Sequence, residues 1–316
     1  MRPIAKDFFF WIKALVIAIA GVLLLQFFAF SSCYIPSSGM ENSLYRGDQI
    51  IINKWAYGLR LPFMSAFGYK RINERPVHKN DIVVFNNPQA TSTTLPADKR
   101  KVFISRCMGL PGDTLMISNQ YSIICPRAEV NPDHKQLYVY PKEKESSIEK
   151  NIKKLGIEDN RLLGYNKNGY VRSFSRYEIY LLNQEIPDLK IKSILPDTCK
   201  QTRSLIVPGK GRNIRVTPWN IYFLKNAINE HEGKKAFIIK DSLLYVNGEK
   251  VSSFVFTKDY YWMVSNNSIN INDSRIFGFV PKDYIIGKAS FVWFSKDSQA
   301  GLFGGYRWKR FFQSVK

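Results

Sequence analysis

Residues 102–117 read Val102-Phe-Ile-Ser-Arg-Cys-Met-Gly-Leu-Pro-Gly-Asp-Thr-Leu-Met-Ile117. Two runs rich in β-branched and apolar residues, 102–105 and 114–117, flank a Gly-Leu-Pro-Gly-Asp segment that suits a tight turn. This pattern predicts two β-strands with a short connection. Similar runs predict further strands at 48–53, 81–85, 236–239, 243–246, 260–264 and 289–294. The sequence therefore predicts a mainly β core, assembled from two halves that are separated along the chain.

The segment between these halves, residues 127–205, is polar and lysine-rich. We expect it to form an inserted lobe or a long loop on the β core, with a short helix near 147–154. A second helix is predicted over 217–231, where a Thr-Pro pair supplies a start signal. The C-terminal residues 301–316 mix aromatic and cationic side chains, which suits either an interfacial segment or a tail that packs on the domain.

Composition limits the classes of function. A chain of 316 residues with 45% hydrophobic content can bury one sizeable core. The 46 Lys+Arg outnumber the 26 Asp+Glu, and the net charge of +20 would suit nucleic acid, an anionic membrane surface or an acidic ligand. The sequence has no zinc-knuckle, RNP-type or helix-turn-helix pattern and no metal-ligand spacing, so we expect no nucleic acid, cofactor or metal.

The N-terminal segment favours the membrane. Residues 8–30 form a nearly unbroken apolar run of about the length that spans a bilayer. Arg2, Lys6 and Lys13 place positive charge on its N-terminal flank, which predicts that this flank stays cytoplasmic. The alternative, a cleaved secretory signal, is disfavoured because the run is long and 31–34 is a poor cleavage site. We therefore expect a single-pass anchor in the bacterial inner membrane, with the main domain in the periplasm.

These expectations divide the chain into six parts, given by residue number. They are a cytoplasmic N-terminus at 1–7, an anchor at 8–30, the first half of the β core at 31–126, the insertion at 127–205, the second half of the core at 206–300 and the tail at 301–316.

The four cysteines give no connectivity. Cys33 lies beside the predicted anchor and Cys107 in a predicted strand, whereas Cys125 and Cys199 lie in less regular sequence. An oxidising compartment would permit a bridge between Cys125 and Cys199, but four cysteines allow three pairings. The sequence leaves this bridge open.

Four sequence blocks follow the predicted anchor in a fixed order. They are Ile35-Pro-Ser-Ser-Gly-Met-Glu-Asn-Ser-Leu44, Asn80-Asp-Ile-Val-Val-Phe85, Ser105-Arg-Cys-Met-Gly-Leu-Pro-Gly-Asp113 and Asn272-Asp-Ser-Arg-Ile-Phe-Gly-Phe-Val-Pro281. In this order and spacing they resemble type I signal peptidases, and the insertion and tail resemble the Bacteroidetes forms. The resemblance implies an all-β peptidase fold and cleavage of signal peptides from exported preproteins by a serine nucleophile and a lysine general base.

Both positions of that dyad are substituted in this chain. The resemblance places the nucleophile immediately before Met40, where this sequence has Gly39. It places the lysine immediately before Arg106, where this sequence has Ser105. A serine needs a base to take its proton, and a lysine can act as that base only if burial lowers its pKa. Gly39 has no side-chain oxygen to act as the nucleophile, and the Ser105 hydroxyl is far too weak a base near neutral pH.

Other family positions are retained. Ser37 aligns with the family serine that contributes to the oxyanion hole. The positions that shape the cleft are retained as Met40, Arg106, Gly109, Pro111, Gly112, Asp113, Asp273, Ser274 and Arg275. The family's Gly-Asp-Asn-Arg sequence is replaced by 265–268, and the serine that supports the lysine is replaced by Ile271.

Substitute catalytic residues are weak candidates. Ser38 is next to the missing nucleophile, but a slip of one residue in an extended segment reverses the direction of the side chain. Lys101 lies about 13 Å from Ser105 along the same strand, at about 3.3 Å per residue. We expect His78, His134 and His231 to be ordinary surface histidines.

The sequence therefore favours a catalytically inactive signal peptidase homologue, a pseudoenzyme. It would bind signal peptides or preproteins, or modulate an active signal peptidase or the export machinery. The alternative is an active serine endopeptidase with a displaced nucleophile such as Ser38, and a third class is a structural membrane protein with a blocked groove. The apolar residues 61–67 suit either a lipid-inserted loop or a core loop.

Overall fold

A computed structural model describes residues 3–62, 64–89, 95–117, 123, 135–157, 160, 162–194, 202–239, 243–267, 272–297, 300–301 and 303–315. The helices are α1 (Pro3–Phe28), α2 (Met64–Phe67), α3 (Glu145–Leu155), α4 (Arg176–Glu185), α5 (Ile221–His231) and α6 (Ser274–Phe277).

All the strands predicted from the apolar and β-branched runs of the sequence are present. The strands are β1 (Phe30–Tyr34), β2 (Asp48–Asn53), β3 (Leu59–Arg60), β4 (Arg71–Ile72), β5 (Ile82–Asn86), β6 (Val102–Gly109), β7 (Thr114–Ile117), β8 (Lys135–Tyr140), β9 (Gly164–Asn166), β10 (Gly169–Ser175), β11 (Lys192–Ser193), β12 (Arg203–Ile206), β13 (Asn213–Arg215), β14 (Ala236–Ile239), β15 (Leu243–Val246), β16 (Glu249–Val251), β17 (Ser253–Val255), β18 (Tyr260–Val264), β19 (Val280–Pro281), β20 (Ile285–Ser295) and β21 (Gln313–Ser314).

The largest sheet joins the two halves of the core. Its order is β1-β2-β20-β5-β6-β18-β19, and β21 also pairs with β20. The pairs are antiparallel, and β20 lies between β2 and β5, so the late strand completes the early half. Shorter sheets pair β12 with β7 and β13 with β17, and β14, β15 and β16 form another. The predicted mainly β fold is confirmed.

The buried side chains of these sheets form three apolar clusters. One surrounds the fully buried Trp262 and contains the inner face of α5. A second surrounds Phe85, and the third packs Met40 and Leu44 against β2, β5 and β20. Because burial of apolar surface is the main driving force of folding, these clusters fix the strands that carry or flank the four sequence blocks.

A separate small lobe is built from residues 135–193. Its sheet has the order β11-β8-β10-β9, and α3 and α4 lie beside it. Ile148, Phe174 and Leu182 are fully buried in its own apolar cluster. The helix predicted near 147–154 is therefore present as α3, which ends at Gly156 in the left-handed conformation (φ 67°). We call residues 135–193 the small lobe.

The helix predicted over 217–231 is shorter than expected. Thr217 and Asn220 form a hydrogen-bonded turn, in which the Thr217 backbone N–H donates to Asn220 Oδ1 (2.8 Å), and α5 begins only at Ile221. The Thr-Pro pair thus precedes the helix by a turn, because the Asn220 side chain satisfies backbone groups there.

The N-terminal helix α1 carries a run of solvent-exposed apolar side chains. Phe9, Trp11, Ile17 and Leu23 are each more than half exposed. Within the described part of the chain, no helix meets the combined length and apolarity needed to cross a membrane. The predicted anchor stays a prediction.

The C-terminal tail packs on the domain and also exposes aromatic side chains. β21 extends the main sheet, and Tyr306 stacks on Trp308 (ring centres 5.4 Å apart). Trp308 remains 70% exposed and Phe303 96% exposed. Residues 61–67 likewise end in an exposed residue, Phe67. The described tail therefore packs on the domain in part, and its role as an interfacial segment stays a prediction.

Candidate functional site

The first sequence block forms a tight loop between β1 and β2. Its two ends are joined because the Ile35 N–H donates to the Asp48 carbonyl and the Gly47 N–H donates to the Ile35 carbonyl (both 2.9 Å). Met40 and Leu44 are buried inside the loop, and the Leu44 N–H donates to the Met40 carbonyl (2.7 Å). The apolar core therefore fixes the position of Gly39.

Gly39 is buried at the position predicted for a nucleophile. Its carbonyl accepts a hydrogen bond from the Asn267 N–H (3.0 Å). Ser38 is half-buried and Ser37 is exposed in the same loop. The backbone at this position is held firmly, but glycine has no hydroxyl group to attack a carbonyl.

Ser105 lies in the middle of β6, opposite Val83 of β5. Its side chain is fully buried, and its Oγ has no hydrogen-bond partner among the described residues. An unpaired buried hydroxyl is destabilising, because it loses its hydrogen bonds to water on folding. The residue at the predicted base position thus has neither a basic nitrogen nor a polar partner in the described part of the chain.

Lys101, the lysine considered as a substitute base, and Lys54 each contact groups outside the first block. Lys101 is exposed just before β6, with its Nζ 5.7 Å from the centre of the Phe103 ring. Burial and the nearby Arg60 lower the pKa of Lys54, but the Lys54 Nζ donates to the Gln26 carbonyl on α1 (2.9 Å).

Arg106 connects three of the blocks. Its Nη2 donates to Ser43 Oγ (2.7 Å), its Nη1 donates to the Asn80 carbonyl (3.0 Å) and its Nε donates to Asn266 Oδ1 (3.4 Å). Ser43 Oγ also accepts a hydrogen bond from Asn266 Nδ2 (3.0 Å). Arg106 is itself buried, so these charge-assisted hydrogen bonds define the relative positions of the loop, β6 and Asn266, which follows β18.

The fourth block is held by Asp273. This buried carboxylate accepts from the Ser265 N–H (2.7 Å) and from Arg275, whose Nη2 lies 2.6 Å from Oδ2. Ser274 Oγ accepts from the Met263 N–H (2.9 Å). The predicted scaffold residues Asp273, Ser274 and Arg275 therefore lie together, whereas Ser268 and Ile271 are outside the described residues.

Asp113 closes the turn between β6 and β7. Its Oδ2 accepts from the Leu110 N–H (3.0 Å) and lies 3.2 Å from Lys79 Nζ. Gly112 has a positive φ of 87°, which a residue with a side chain adopts only at a cost. This geometry accounts for the Gly-Leu-Pro-Gly-Asp segment as a structural turn.

A lysine that sequence reasoning missed lies beside this site. Lys135, at the start of β8, has no exposed surface, and its Nζ lies 3.2 Å from Glu41 Oε2 and 3.3 Å from Glu178 Oε1. Its position in a polar, lysine-rich segment gave no sign of burial. A lysine from the small lobe therefore contacts the carboxylate two residues after Gly39.

The histidine prediction is wrong at one position. His78 is exposed, near Asp81, but His231 is buried at the end of α5. Burial lowers the pKa of His231 to about 3, and the positive charges of Lys258 and Arg100 act in the same direction. Leu224, Ile228 and His231 recur at helical spacing, so the period of α5 already placed His231 on its buried face. His134 lies outside the described residues.

The cysteines and possible metal ligands add no site. Cys33 and Cys107 are both unpaired, and burial raises the pKa of each thiol. Cys125 and Cys199 lie outside the described residues, so their pairing stays open. Among the residues with a described placement, no group of three or more His, Cys, Asp or Glu is arranged to hold a metal ion.

The stretches of this chain that match known proteins include all four blocks. A family model described as signal peptidase, peptidase S26, matches residues 8–176 and 222–294. Signal peptidase I of Helicobacter pylori (strain ATCC 700392 / 26695) is 24% identical over 329 residues, which cover 96% of this chain and 91% of that protein. Signal peptidase I of Buchnera aphidicola subsp. Baizongia pistaciae is 24% identical over 272 residues, covering 86% of this chain and 72% of that protein. Signal peptidase I of Haemophilus influenzae is 22% identical and covers 100% of this chain and 78% of its own length.

Proposed function

Because this chain belongs to the signal peptidase family, peptidase S26, we propose that it is a catalytically inactive member that binds the signal peptides of exported preproteins. One observation carries the proposal. Gly39 and Ser105 occupy the two positions at which the family resemblance places the nucleophile and the general base.

The chemistry of the two positions supports the loss of cleavage. Acyl transfer needs an oxygen or sulfur nucleophile together with a group that accepts its proton. Gly39 offers no side-chain atom, and the Ser105 hydroxyl is far too weak a base near neutral pH. Function is argued from the site rather than from the fold, so the family relationship does not outweigh these substitutions.

The retained scaffold supports binding. Met40 and Leu44 hold the loop in the core, and Arg106 connects that loop to Asn266, which follows β18. A peptide can be recognised in extended form as an added strand, using backbone hydrogen bonds that need no catalytic side chain. We propose this mode of binding for the signal peptide.

The proposed location is the bacterial inner membrane. Exposed apolar side chains on α1 and the cations Arg2, Lys6 and Lys13 support a single-pass anchor with a cytoplasmic N-terminus. The main domain would then lie in the periplasm, where an active signal peptidase or the export machinery are the proposed further partners. The exposed Phe67 supports contact of residues 61–67 with lipid.

Binding can be tested with the full chain in lipid vesicles and a fluorescent signal peptide. We expect saturable binding by the wild type, and weaker binding by about tenfold, or about 1.4 kcal/mol, in Ser37→Trp, which adds a bulky exposed side chain beside Gly39. The matched control is Ser252→Trp, an exposed position between β16 and β17, which should bind as the wild type does.

Two results would contradict the proposal. A wild type that does not bind signal peptides would indicate a purely structural membrane protein. Equal loss of binding in both tryptophan variants would show that the peptide does not use the cleft beside Gly39.

A further inference from the structure

Lys135 is a fully buried cation that lies close to the loop with Gly39. It is the first residue of β8, and its side chain has no exposed surface. Its Nζ lies within ion-pair distance of Glu178 in α4 and of Glu41 in the loop between β1 and β2, residues 35–47, which we call the site loop. Neither contact has the alignment of a good hydrogen bond. One cation therefore links the site loop to two elements of the small lobe.

Both carboxylates of this cluster are also held by other groups. Glu41 Oε2 accepts a hydrogen bond from Asn267 Nδ2 (2.9 Å). Glu178 Oε2 accepts from the Ser175 N–H (2.7 Å), while the Glu178 N–H donates to Ser175 Oγ (3.2 Å), which caps the start of α4. The cluster is thus a fixed arrangement in which the positions of all three charged groups are defined.

Hydrogen bonds join the same parts of the molecule as the ion pairs do. The Lys135 N–H donates to the Asn266 carbonyl (2.8 Å), and Lys135 forms a parallel bridge with Asn267. The Asn267 N–H in turn donates to the Gly39 carbonyl (3.0 Å), and Asn266 Nδ2 donates to the Glu41 carbonyl (3.1 Å). Residues 265–267 therefore lie between the site loop and the small lobe and contact both.

Burial makes this cluster sensitive to the loss of one member. The buried ammonium group offsets the free-energy cost of burying two carboxylates beside it. Removal of this cation leaves two like charges away from water, which destabilises the cluster. A surface ion pair has no such consequence, since water screens its charges.

We propose that Lys135 is a positioning residue that locks the small lobe onto residues 39–41 and 265–267. The small lobe is then fixed against the loop that carries Gly39, and movement of the lobe changes the geometry of that loop. This lock does not depend on whether the cleft binds signal peptides.

The test is amide hydrogen exchange of the full chain in lipid vesicles, with the Lys135 and Asn267 amides as reporters. Lys135→Met keeps much of the side chain's apolar length and removes its charge. We expect exchange to rise by about 100-fold at both reporters together, because the buried carboxylates are left without their cation. Lys154→Met, which removes an exposed ion pair with Glu185, is the matched control and should leave both amides unchanged.

A second variant separates charge from packing. In Lys135→Met/Glu41→Gln/Glu178→Gln, each new glutamine side chain keeps an oxygen that can accept a hydrogen bond. No charged group of the cluster remains in this variant. We expect it to recover near-wild-type exchange at both reporters, even if the single variant fails to fold. Exchange that stays high in this neutral variant, or a single variant in which only the Lys135 amide responds, would overturn the proposal.

Discussion

The ion pair between Arg310 and Asp48 joins the C-terminal tail to the end of the site loop. Asp48 is fully buried, and its Oδ2 lies 2.7 Å from Arg310 Nη2. The same guanidinium donates to the Ser43 carbonyl (3.1 Å) and lies 4.4 Å from the centre of the Tyr45 ring. We predict that Arg310→Ala destabilises the domain well beyond the effect of an exposed cation.

The size of the effect follows from what remains around Asp48. Ser295 Oγ (2.6 Å) and the Tyr45 N–H (2.8 Å) still donate to the carboxylate after Arg310 is removed. These donors keep the loss at the lower end of the range for a broken buried pair, about 3 kcal/mol in the free energy of unfolding. For a domain of this size that loss corresponds to a fall in Tm of about 6–12 °C.

The measurement is urea unfolding of the full chain in detergent micelles, followed by tryptophan fluorescence. Lys309→Ala is the matched control, because Lys309 is the exposed neighbour of Arg310, and it should change the free energy of unfolding by less than about 0.5 kcal/mol. If Arg310→Ala and Lys309→Ala unfold at the same urea concentration, the tail does not stabilise the loop and the reasoning is refuted.

Two further substitutions test buried polar groups. Ser105→Ala should raise the free energy of unfolding by about 1 kcal/mol, because it removes a buried hydroxyl without a partner among the described residues, and a loss of stability in thermal unfolding would contradict this. His231 stays neutral in the fold while its unfolded form takes up a proton below about pH 6.5, so the stability it contributes is present above that pH and is lost as the pH falls toward 3. Between pH 7 and pH 4 the free energy of unfolding of the wild type should fall by about 3 kcal/mol more than that of His231→Phe. Urea unfolding at each pH measures this difference. Equal losses would show that His231 is not the acid-sensitive group.

The sequence predicted the fold well because each strand is marked by its own residues and by the turn residues at its ends. Strands such as β2 and β18 combine β-branched or aromatic residues with turn signals at their ends, and pairing with neighbours did not change them. The substitutions at Gly39 and Ser105 were also visible in the sequence. The neighbouring residues Met40 and Arg106 identify these two positions within the first and third blocks.

The contacts across the lobe were not predictable in the same way. Lys135 and Glu41 are 94 positions apart, and only the docking of β8 beside residues 265–267 brings their charges together. A lysine in a polar segment is ordinarily exposed, so no local pattern marks it as buried. His231 differs from Lys135, because the helical spacing of apolar residues in α5 does indicate that His231 lies on the buried face.

Cleavage of a purified preprotein in lipid vesicles tests the central claim most directly. The proteins to compare are the wild type, Ser38→Ala, and a repaired chain with Gly39→Ser, Ser105→Lys, Ser265→Gly, Asn266→Asp, Ser268→Arg and Ile271→Ser. An inactive homologue with an intact scaffold predicts no cut at the signal-peptide junction by the wild type or Ser38→Ala, and a gain of cleavage in the repaired chain. Cleavage by the wild type that Ser38→Ala abolishes would contradict the account and identify Ser38 as a displaced nucleophile.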